Sequence, residues 1–509
     1  MDWFDSWALS LVVFIPIVGT AVVLAIPKAK ELLIKQVALL TTLLSMAVGV
    51  IILFRFDYDH ADKLQFPVNK SWIDVISSRY HMGLDGISLP LLILTLFVTV
   101  LCVVYSWDHF PEPHNPKAFL ALLLVLETGM LGTFLAEDLI LFFIFFELVL
   151  LPMYFMIGVW GGPNREYASI KFFLFTLFGS ALMLLSFLAL FFKSDPHTFD
   201  IVQLSQLHGA GLAHGTQLVI FGGLFLGFAI KVPMFPFHTW LPDAHTEAPT
   251  VGSVILAAVL LKLGTYGFIR IALPVLPEAA RSWAPYIGLL SVIGIIYGAL
   301  GCLAQRDMKR LIAFSSVAHM GFVMLGISTL TSFGINAAIF GMVAHGLITG
   351  MLFFLAGSVQ ERYHTRELSR LGGLLLQAPK MGWILGFCAM ASLGLPGLAG
   401  FWGEFPAVLS SYQPAEGLNV ALFRGFMVTA AIGTVLAAGY LLWMLQRVAM
   451  GKIPAEWEDA HIHDVHVPEW IAWAPMLILI LGLGVFPGAI FHVTDDAVQH
   501  VSRMFGGEG

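Results

Sequence analysis

Apolar runs of about 20 residues recur from one end of this 509-residue chain to the other, and they restrict its fold more than any other feature. A helix of that length crosses roughly 30 Å of hydrocarbon, because each residue adds about 1.5 Å. The composition agrees, since 58% of the residues are hydrophobic and only 12% are charged, against about a quarter charged in soluble domains. The sequence therefore predicts an all-α integral membrane protein with about 14 transmembrane helices, here called spans.

The positions of the basic residues predict the orientation of the spans. More than half of the 26 lysines and arginines fall in alternate loops, Lys28, Arg310 and Lys452 among them. Cytoplasmic loops carry such an excess of positive charge, so both termini are predicted to lie outside. No basic residue precedes the first apolar run. That run therefore lacks the positive start of a cleavable signal peptide and is expected to remain as span 1.

Ionisable side chains interrupt the apolar runs near their middles. A charge at the centre of a membrane helix costs at least about 2.5–3.5 kcal/mol, so such residues usually face the interior of the bundle and mark an ion path. Two lysines, two glutamates and two histidines share this position on six different spans, and their similar depth predicts a proton-conducting line. They are Glu147 in span 5, Lys231 in span 7, Lys262 in span 8, His319 in span 10, His345 in span 11 and Glu404 in span 12.

Each of these residues also has a structural interpretation. A lone buried histidine is more often a hydrogen-bonded packing residue, and a single Lys–Glu pair can hold two helices together. Glu127 in span 4 is a further buried acid, which is either an added proton site or merely a protonated carboxyl group. The sequence does not decide between these two roles.

Two spans are predicted to be broken beside their charged residues. Pro233 and Pro236 follow Lys231 in span 7, and glycines and a proline between Gly394 and Gly403 precede Glu404 in span 12. Proline removes a backbone donor, and non-helical backbone at membrane depth is tolerated where it lines a cavity. The two broken spans are five apart, which predicts two inverted repeats of five helices, spans 4–8 and 9–13.

The corresponding division of the chain has four parts. Residues 1–117 hold spans 1–3, residues 118–272 the first repeat, residues 283–446 the inverted second repeat, and residues 447–509 span 14 and a tail. The cysteines, Cys102, Cys302 and Cys388, share no metal-type spacing. No metal or cofactor site is expected in this chain.

Five sequence stretches resemble the antiporter-like subunits of respiratory complex I, and the resemblance covers essentially the whole chain. Within that family it is closest to the M type, because Glu404 stands where other antiporter-like chains typically carry Lys. Two departures are Phe314, where Tyr is common, and Glu127, where a neutral polar residue is usual. The stretches are Phe146–Phe155 (FELVLLPMYF), Trp240–Thr250 (WLPDAHTEAPT), Gln305–Ser316 (QRDMKRLIAFSS), His319–Gly321 (HMG) and Gly403–Phe405 (GEF).

The resemblance implies a role for each buried ionisable residue. Glu147 and Lys231 would form a coupled pair that opens and closes, and Lys262 would be the central relay site. Burial disfavours a charged lysine and a nearby carboxylate favours it, so opening the pair would drive Lys231 to release its proton. Two further steps are implied: the imidazoles of His319 and His345 would pass protons from Lys262, and Glu404 would be the terminal donor or acceptor.

Seven further residues are secondary candidates. Ser315, Ser316 and Thr349 lie about one turn from the two histidines and could hold connecting waters. The segment after the break in span 7 either forms a proton entrance on the cytoplasmic side or contains only Pro242 and Asp243 as the cap of span 8. The seven candidates are Glu127, His238, Asp243, His245, Ser315, Ser316 and Thr349.

The resemblance also implies an assembly. The chain would be a proton-translocating subunit of NADH:quinone oxidoreductase in the bacterial inner membrane, in contact with lipid, internal water and the neighbouring antiporter-like chains. NADH, FMN, iron–sulfur clusters and quinone would belong to partner subunits, and no nucleic acid is expected. Three alternatives remain open: an Mrp-type cation/proton antiporter subunit, a membrane-arm subunit of a hydrogenase, and a scaffold whose charges only hold helices together.

Overall fold

The computed structural model describes residues 3–506 of the chain. Within them, thirteen helices are long and apolar enough to cross a membrane. Spans 1–7 are Trp3–Ala25, Glu31–Arg55, Ser88–Tyr105, Pro116–Leu135, Leu139–Trp160, Arg165–Lys193 and His214–Lys231. Spans 8–11, 13 and 14 are Thr250–Val275, Pro277–Leu303, Met308–Ser328, Ser332–Tyr363, Val420–Val448 and Val467–Val485.

Span 12 is divided into two shorter helices, Pro379–Ser392 and Ala399–Ser410. With 14 and 12 residues, neither crosses a bilayer alone, whereas the two in sequence do. Added to the other thirteen spans, they make fourteen crossings in the described part of the chain, the number predicted. Gly394 and Gly397, in the connecting segment, have φ angles of +79° and +93°, which suit glycine and end the helix.

Span 7 also breaks where its prolines predict. The helix His214–Lys231 ends at Lys231, and a second helix, Trp240–Glu247, follows the turn that contains Pro233 and Pro236. The indole Nε1 of Trp240 donates a hydrogen bond of 2.9 Å to the carbonyl oxygen of Ile230. This bond joins the two halves of the broken span and satisfies one carbonyl at the helix end.

Local irregularities that the sequence analysis did not predict occur in two other spans. Span 5 is interrupted at Val149, two residues after Glu147, between Leu139–Leu148 and Leu150–Trp160. Span 8 contains two π-helical segments, Leu256–Leu260 and Phe268–Ala272, on either side of Lys262. Segments of this kind occur often at functional sites.

One segment departs from the all-helical description. Between spans 2 and 3, strand β1 (Gln65–Ile73) pairs antiparallel with strand β2 (Ser78–Leu84). The hairpin is fastened to neighbouring loops, because the amide of Glu137 donates to the carbonyl of His81 and the Ser78 hydroxyl donates to Asp138. It covers the bundle at the end where spans 4 and 5 meet.

The chain does not end at span 14. A further helix, Gly488–Ser502, follows it and packs against span 11. Asn336 of span 11 joins this helix through two hydrogen bonds, donating to Asp495 at 2.8 Å and accepting from Thr494 at 2.6 Å. The helix therefore closes one end of the bundle.

The centre of the bundle is made by spans 8, 10 and 11. These three spans have nearly all of their residues buried, whereas fewer than half of the residues are buried in spans 2, 6 and 14. Gly403 of span 12 lies directly against Gly341 of span 11, so the broken span approaches the centre closely. Lys262, His319 and His345 stand on the three central spans.

Candidate functional site

Lys262 lies at the centre of the bundle and contacts span 11. Its side chain is fully buried, and Nζ lies 2.6 Å from Nδ1 of His345 and 2.5 Å from the carbonyl oxygen of Ala257. Ala257 belongs to the π-helical segment before the lysine. When Lys262 is protonated, Nζ donates to Nδ1 and the hydrogen of the neutral imidazole is on Nε2. A proton can thus pass directly between the two residues.

His319 and Glu404 form a second direct contact. Nδ1 of His319 lies 2.5 Å from Oε1 of Glu404, so an ionised carboxylate accepts the Nδ1 hydrogen. On the other side of the ring, Nε2 lies 3.1 Å from the Ser392 hydroxyl and 3.2 Å from the Tyr440 hydroxyl. All polar atoms of this imidazole therefore have partners, and the ring is held between spans 12 and 13.

A small cavity lies between the two histidines. The ring centroids of His319 and His345 are 6.0 Å apart. Both rings line the cavity together with Thr349, Ser392 and Glu404. About 20 Å³ of it is open to the centre of a water molecule, and one water needs roughly 10–15 Å³. The cavity has the size and the polar lining to let water bridge the two histidines.

Glu147 and Lys231 are close but do not form an ion pair. Lys231 is 2% exposed, and Nζ lacks a hydrogen-bond partner among residues 3–506. Nζ lies 4.8 Å from the centroid of the Phe146 ring, within cation–π range. Glu147 is half-buried and faces both Ser180 and the charge of Lys231. The side chains are therefore near enough to interact electrostatically without being bonded.

The three candidates in the segment after the break in span 7 have different surroundings. His238 is buried, with its ring 4.9 Å from that of Tyr297, and His245 is fully buried and stacks on Phe353 at 4.5 Å. Asp243 accepts a 2.7 Å hydrogen bond from Lys171 of span 6 and lies 3.4 Å from Arg310 of span 10.

The interpretation of Asp243 as the cap of span 8 is wrong. Span 8 begins at Thr250 with Pro249 before it, and no side chain caps this start. Asp243 lies within the second helix of span 7, because the chain resumes a helix at Trp240 directly after the prolines. Its carboxylate instead joins the cationic ends of spans 6 and 10.

The other secondary candidates are all buried, with different surroundings. The hydroxyls of Ser315 and Ser316 both donate to the carbonyl of Ile312, one turn back on their own helix. Thr349 lines the cavity between the histidines. Both carboxyl oxygens of Glu127 lack a hydrogen-bond partner among the described residues. Within residues 3–506, Glu127 therefore forms no hydrogen bond with the line that contains Lys262.

Several polar residues of the interior were missed by the sequence analysis. The hydroxyls of Ser392 and Tyr440 both contact His319. Ser392 ends the first half-helix of span 12, and Tyr440 lies on span 13. Lys309, which was not among the candidate site residues, is 2% exposed and donates to the carbonyl of Ala248. A single serine, tyrosine or helix-end lysine carries no sequence signal that separates it from an ordinary membrane residue.

A cluster of charged residues lies at the end of the bundle beneath the β-hairpin. Arg270 of span 8 donates to Asp85 at 2.5 Å and to the Tyr266 hydroxyl at 3.0 Å. Its Nε also lies 3.7 Å from Glu137 in the loop between spans 4 and 5. Burial raises the pKa of Glu137 to about 7, although the charge of Arg270 opposes this shift.

His81 and Asp200 form a second buried pair beneath the hairpin, 2.8 Å apart. Burial by itself lowers the pKa of His81, but the hydrogen bond and charge of Asp200 outweigh burial and raise that pKa above 6.5. Burial likewise opposes ionisation of Asp200, and the bond from His81 outweighs it and lowers the pKa of Asp200 below 3.8. Each residue therefore stabilises the charged form of the other.

The arrangement suits proton transfer rather than redox chemistry of its own. Lys262, His345, His319 and Glu404 follow one another through contacts and one small cavity across spans 8, 11, 10 and 12. Lysine, imidazole and carboxyl groups each bind and release a proton. No group of three or more His, Cys, Asp or Glu side chains within residues 3–506 is arranged to hold a metal ion.

Two family models match the chain along most of its length. The model described as NADH:quinone oxidoreductase/Mrp antiporter, TM, matches residues 136–433. The model described as NADH-ubiquinone oxidoreductase chain 4, amino terminus, matches residues 11–133. These two matches place the chain in the class of antiporter-like membrane subunits.

Individual proteins of this class resemble the chain over nearly its full length. NADH-quinone oxidoreductase subunit M of Rickettsia prowazekii (strain Madrid E) is 40% identical, covering 98% of this chain and 99% of that protein. A chain of respiratory complex I from Thermus thermophilus with bound NADH has a TM-score of 0.86 and 29% identity, covering 98% of this chain and 100% of that one. The chain belongs to the NADH:quinone oxidoreductase/Mrp antiporter family and is similar throughout to its subunit M members.

The fold is also similar to that of proteins with lower sequence identity. A chain in the Mrp complex of Dietzia sp. DQ12-45-1b superposes with a TM-score of 0.83 at 21% identity, covering 99% of this chain and 52% of that one. At this identity the likeness concerns architecture only, because unrelated chemistries share membrane folds.

Proposed function

We propose that this chain is a proton-translocating membrane-arm subunit of NADH:quinone oxidoreductase, respiratory complex I. The observation that carries the proposal is the succession of Lys262, His345, His319 and Glu404 through the centre of the bundle, by two direct contacts and one small polar cavity. Buried ionisable residues are costly in a membrane, and a connected series of them suits proton conduction better than helix packing. Full-length similarity to subunit M relatives supports the same assignment.

In the proposed relay, Lys262 is the central site and His345 its direct partner. A proton leaving Lys262 moves to Nδ1 of His345, crosses the cavity through water to His319, and reaches Glu404. Glu404 is the terminal donor or acceptor. Its Oε2 lacks a hydrogen-bond partner among the described residues, so this oxygen is free to exchange a proton with a neighbouring chain or with water.

Glu147 and Lys231 form the proposed entry pair of the relay. Lys231 Nζ has no hydrogen-bond partner among the described residues and lies 4.8 Å from the centroid of the Phe146 ring, which supports an open state of the pair. Closing the pair would stabilise the charged lysine, and opening it would release the proton toward Lys262. His238, Asp243 and His245 form the cytoplasmic approach, with Glu127, Ser315, Ser316 and Thr349 as secondary sites.

In this proposal, the chain is organised as two inverted repeats with a segment on either side. Spans 4–8 (residues 118–272) and spans 9–13 (residues 283–446) are inverted repeats, preceded by residues 1–117 and followed by residues 447–509. The broken spans 7 and 12 take the same place in each repeat. Both termini lie outside a bacterial inner membrane, as the excess of basic residues in the opposite loops requires.

Electron transfer belongs to partner subunits in this proposal. NADH, FMN, iron–sulfur clusters and quinone are bound there, and this chain contacts the neighbouring antiporter-like chains. An Mrp-type or hydrogenase-type subunit is the alternative. The 40% identity to subunit M relatives over 98% of this chain favours the quinone oxidoreductase.

Inverted membrane vesicles test the proposal, with NADH oxidation and vesicle acidification followed together. In an assembled complex carrying Lys262→Met, we expect both rates to fall at least about tenfold, which corresponds to about 1.4 kcal/mol of lost transition-state stabilisation. Lys452→Met, a neutralised lysine on an exposed loop, is the matched control and should pump normally. Normal oxidation and acidification in Lys262→Met would support the scaffold alternative. Acidification that requires Na⁺ would support the Mrp type.

A further inference from the structure

A second cavity opens at the end of the bundle where spans 1 and 3 end, spans 2 and 4 begin and span 5 ends. Its volume is about 570 Å³, within the range of small-molecule sites, roughly 300–1,000 Å³. Lys28, Glu31, His114 and Lys117 stand at its mouth. Its deeper wall is apolar and consists of Ile34, Leu122, Phe155 and Val159.

The uncompensated charge at the mouth is positive. Glu31 is already engaged by Lys35 at 2.7 Å and by His114 at 2.9 Å. Lys117 uses one of its three donors on the carbonyl of Ile26 and keeps the others. Lys28 is exposed and has no ion pair or side-chain hydrogen bond within residues 3–506. An anion entering the cavity would therefore meet two lysine ammonium groups.

The apolar wall extends into the hydrocarbon zone of the membrane. Leu122 is six residues beyond the start of span 4 and Phe155 is five residues before the end of span 5. At 1.5 Å per residue, these positions lie about 9 Å and about 7.5 Å below the helix ends. Phe155 and Val159 are 41% and 38% exposed, so this wall is uncovered in the isolated chain.

We infer that this cavity binds an anionic phospholipid, phosphatidylglycerol or a related lipid. The phosphate contacts Lys28 and Lys117, and the first methylene groups of an acyl chain lie along Phe155 and Val159. Basic pockets between membrane helices recognise lipid headgroups through this combination of charge and depth. A free phosphate would leave the apolar wall unused.

Site-directed photolabelling of the intact, delipidated complex tests this inference. The probe is phosphatidylglycerol with a diazirine on an acyl carbon near the glycerol, and the readout is its half-maximal concentration for labelling peptides of spans 4 and 5. We expect Lys28→Ala to raise this concentration about fivefold, since one juxtamembrane lysine contributes about that factor. Lys30→Ala is the matched control, because Lys30 is exposed on the same loop but does not line the cavity. It should label like the unmodified complex.

A second variant examines the apolar wall without changing any charge. Val159→Trp fills the cavity from span 5, where the side chain is exposed and additional volume is tolerated, and should abolish labelling at this site. A phosphatidylcholine that carries the same diazirine, and therefore no net charge, is the control probe. Three results would overturn the inference: equal shifts for Lys28→Ala and Lys30→Ala, unchanged labelling in Val159→Trp, or equal labelling by the two lipid probes. Displacement by millimolar inorganic phosphate would reveal a simple anion site. Absence of labelling in the unmodified complex would likewise overturn the inference.

Discussion

The proposed relay consists of ionisable side chains inside apolar spans. Lys231, Lys262 and Glu404 are visible in the sequence because a charge within an apolar run is rare and costly. Their contacts were not visible. His319 has Ser392 and Tyr440 as partners, which lie 73 and 121 residues away from it along the chain. Hydroxyl side chains are common in membrane helices, so neither residue stands out in the sequence. Only the folded bundle brings these atoms within 3.2 Å of the imidazole.

The buried pair of His81 and Asp200 leads to a prediction about pH. The pKa of His81 is raised in the folded protein. The contribution of His81 to the stability of the fold is therefore complete below pH 6.5 and is lost as the pH rises through the raised pKa. The pKa of Asp200 is lowered, so its contribution is present above pH 3.8 and is lost as the pH falls through the lowered value. The pair therefore stabilises the hairpin most between pH 3.8 and 6.5.

His81→Gln should accordingly destabilise the complex more at pH 6 than at pH 9. At pH 6 we expect a loss of about 1.5–3 kcal/mol, the range for a hydrogen bond to a charged group. The measurement is the midpoint of thermal inactivation of variant and unmodified complex at each pH. If the midpoints of variant and unmodified complex differ equally at pH 6 and pH 9, or differ more at pH 9, the stabilising role given to the His81–Asp200 pair is contradicted.

Secondary structure elements were predictable where their signals are local. The breaks in spans 7 and 12 were predicted from prolines and from glycines such as Gly394 and Gly397, whose positive φ angles the structure contains. The break at Val149 and the π-helical segments around Lys262 involve ordinary apolar residues. Packing against neighbouring spans decides such irregularities. The same limit explains the error at Asp243, because the length of the second helix of span 7 depends on what surrounds it.

The two halves of span 12 should tolerate no side chain at Gly400. A Cβ atom there would collide with the backbone carbonyl of Ala391 in the other half, and backbone cannot yield as a side chain does. We expect Gly400→Ala to destabilise the assembled complex by about 1–3 kcal/mol. Gly425→Ala in span 13 is the matched control, since its Cβ meets nothing within 4 Å. Thermal stability in detergent is the measurement, and equal midpoints for the two variants would refute the expected collision.

At the scale of the whole molecule, the number of membrane crossings was predictable from the sequence. The hairpin and the last helix, which cover the ends of the bundle, were not. Fourteen crossings follow from the lengths of apolar runs. The hairpin Gln65–Leu84 and the helix Gly488–Ser502 are short polar segments, stabilised by contacts with loops and spans distant in sequence. No periodicity within these segments indicates where they dock.

The topology has a direct test with single cysteines. Lys30→Cys and Lys452→Cys lie on exposed loops at one end of the bundle, and Lys70→Cys lies on the hairpin at the other. The native Cys102, Cys302 and Cys388 are buried and should not react. An impermeant maleimide added to right-side-out vesicles should label only Lys70→Cys, and inverted vesicles should give the opposite pattern. Labelling of Lys30→Cys and Lys70→Cys from the same side would disprove the proposed orientation.

The sequence by itself determined the membrane as solvent, the number of spans, two of the breaks and the identities of the buried ionisable residues. Each of these follows from a local cost, either a charge in hydrocarbon or a backbone that cannot continue a helix. Tertiary structure alone decided that Lys262 meets His345, that His319 meets Glu404, and that Glu147 and Lys231 stay apart. These contacts join helices remote in the chain, and only the packing of all spans together sets distances of a few ångströms between them.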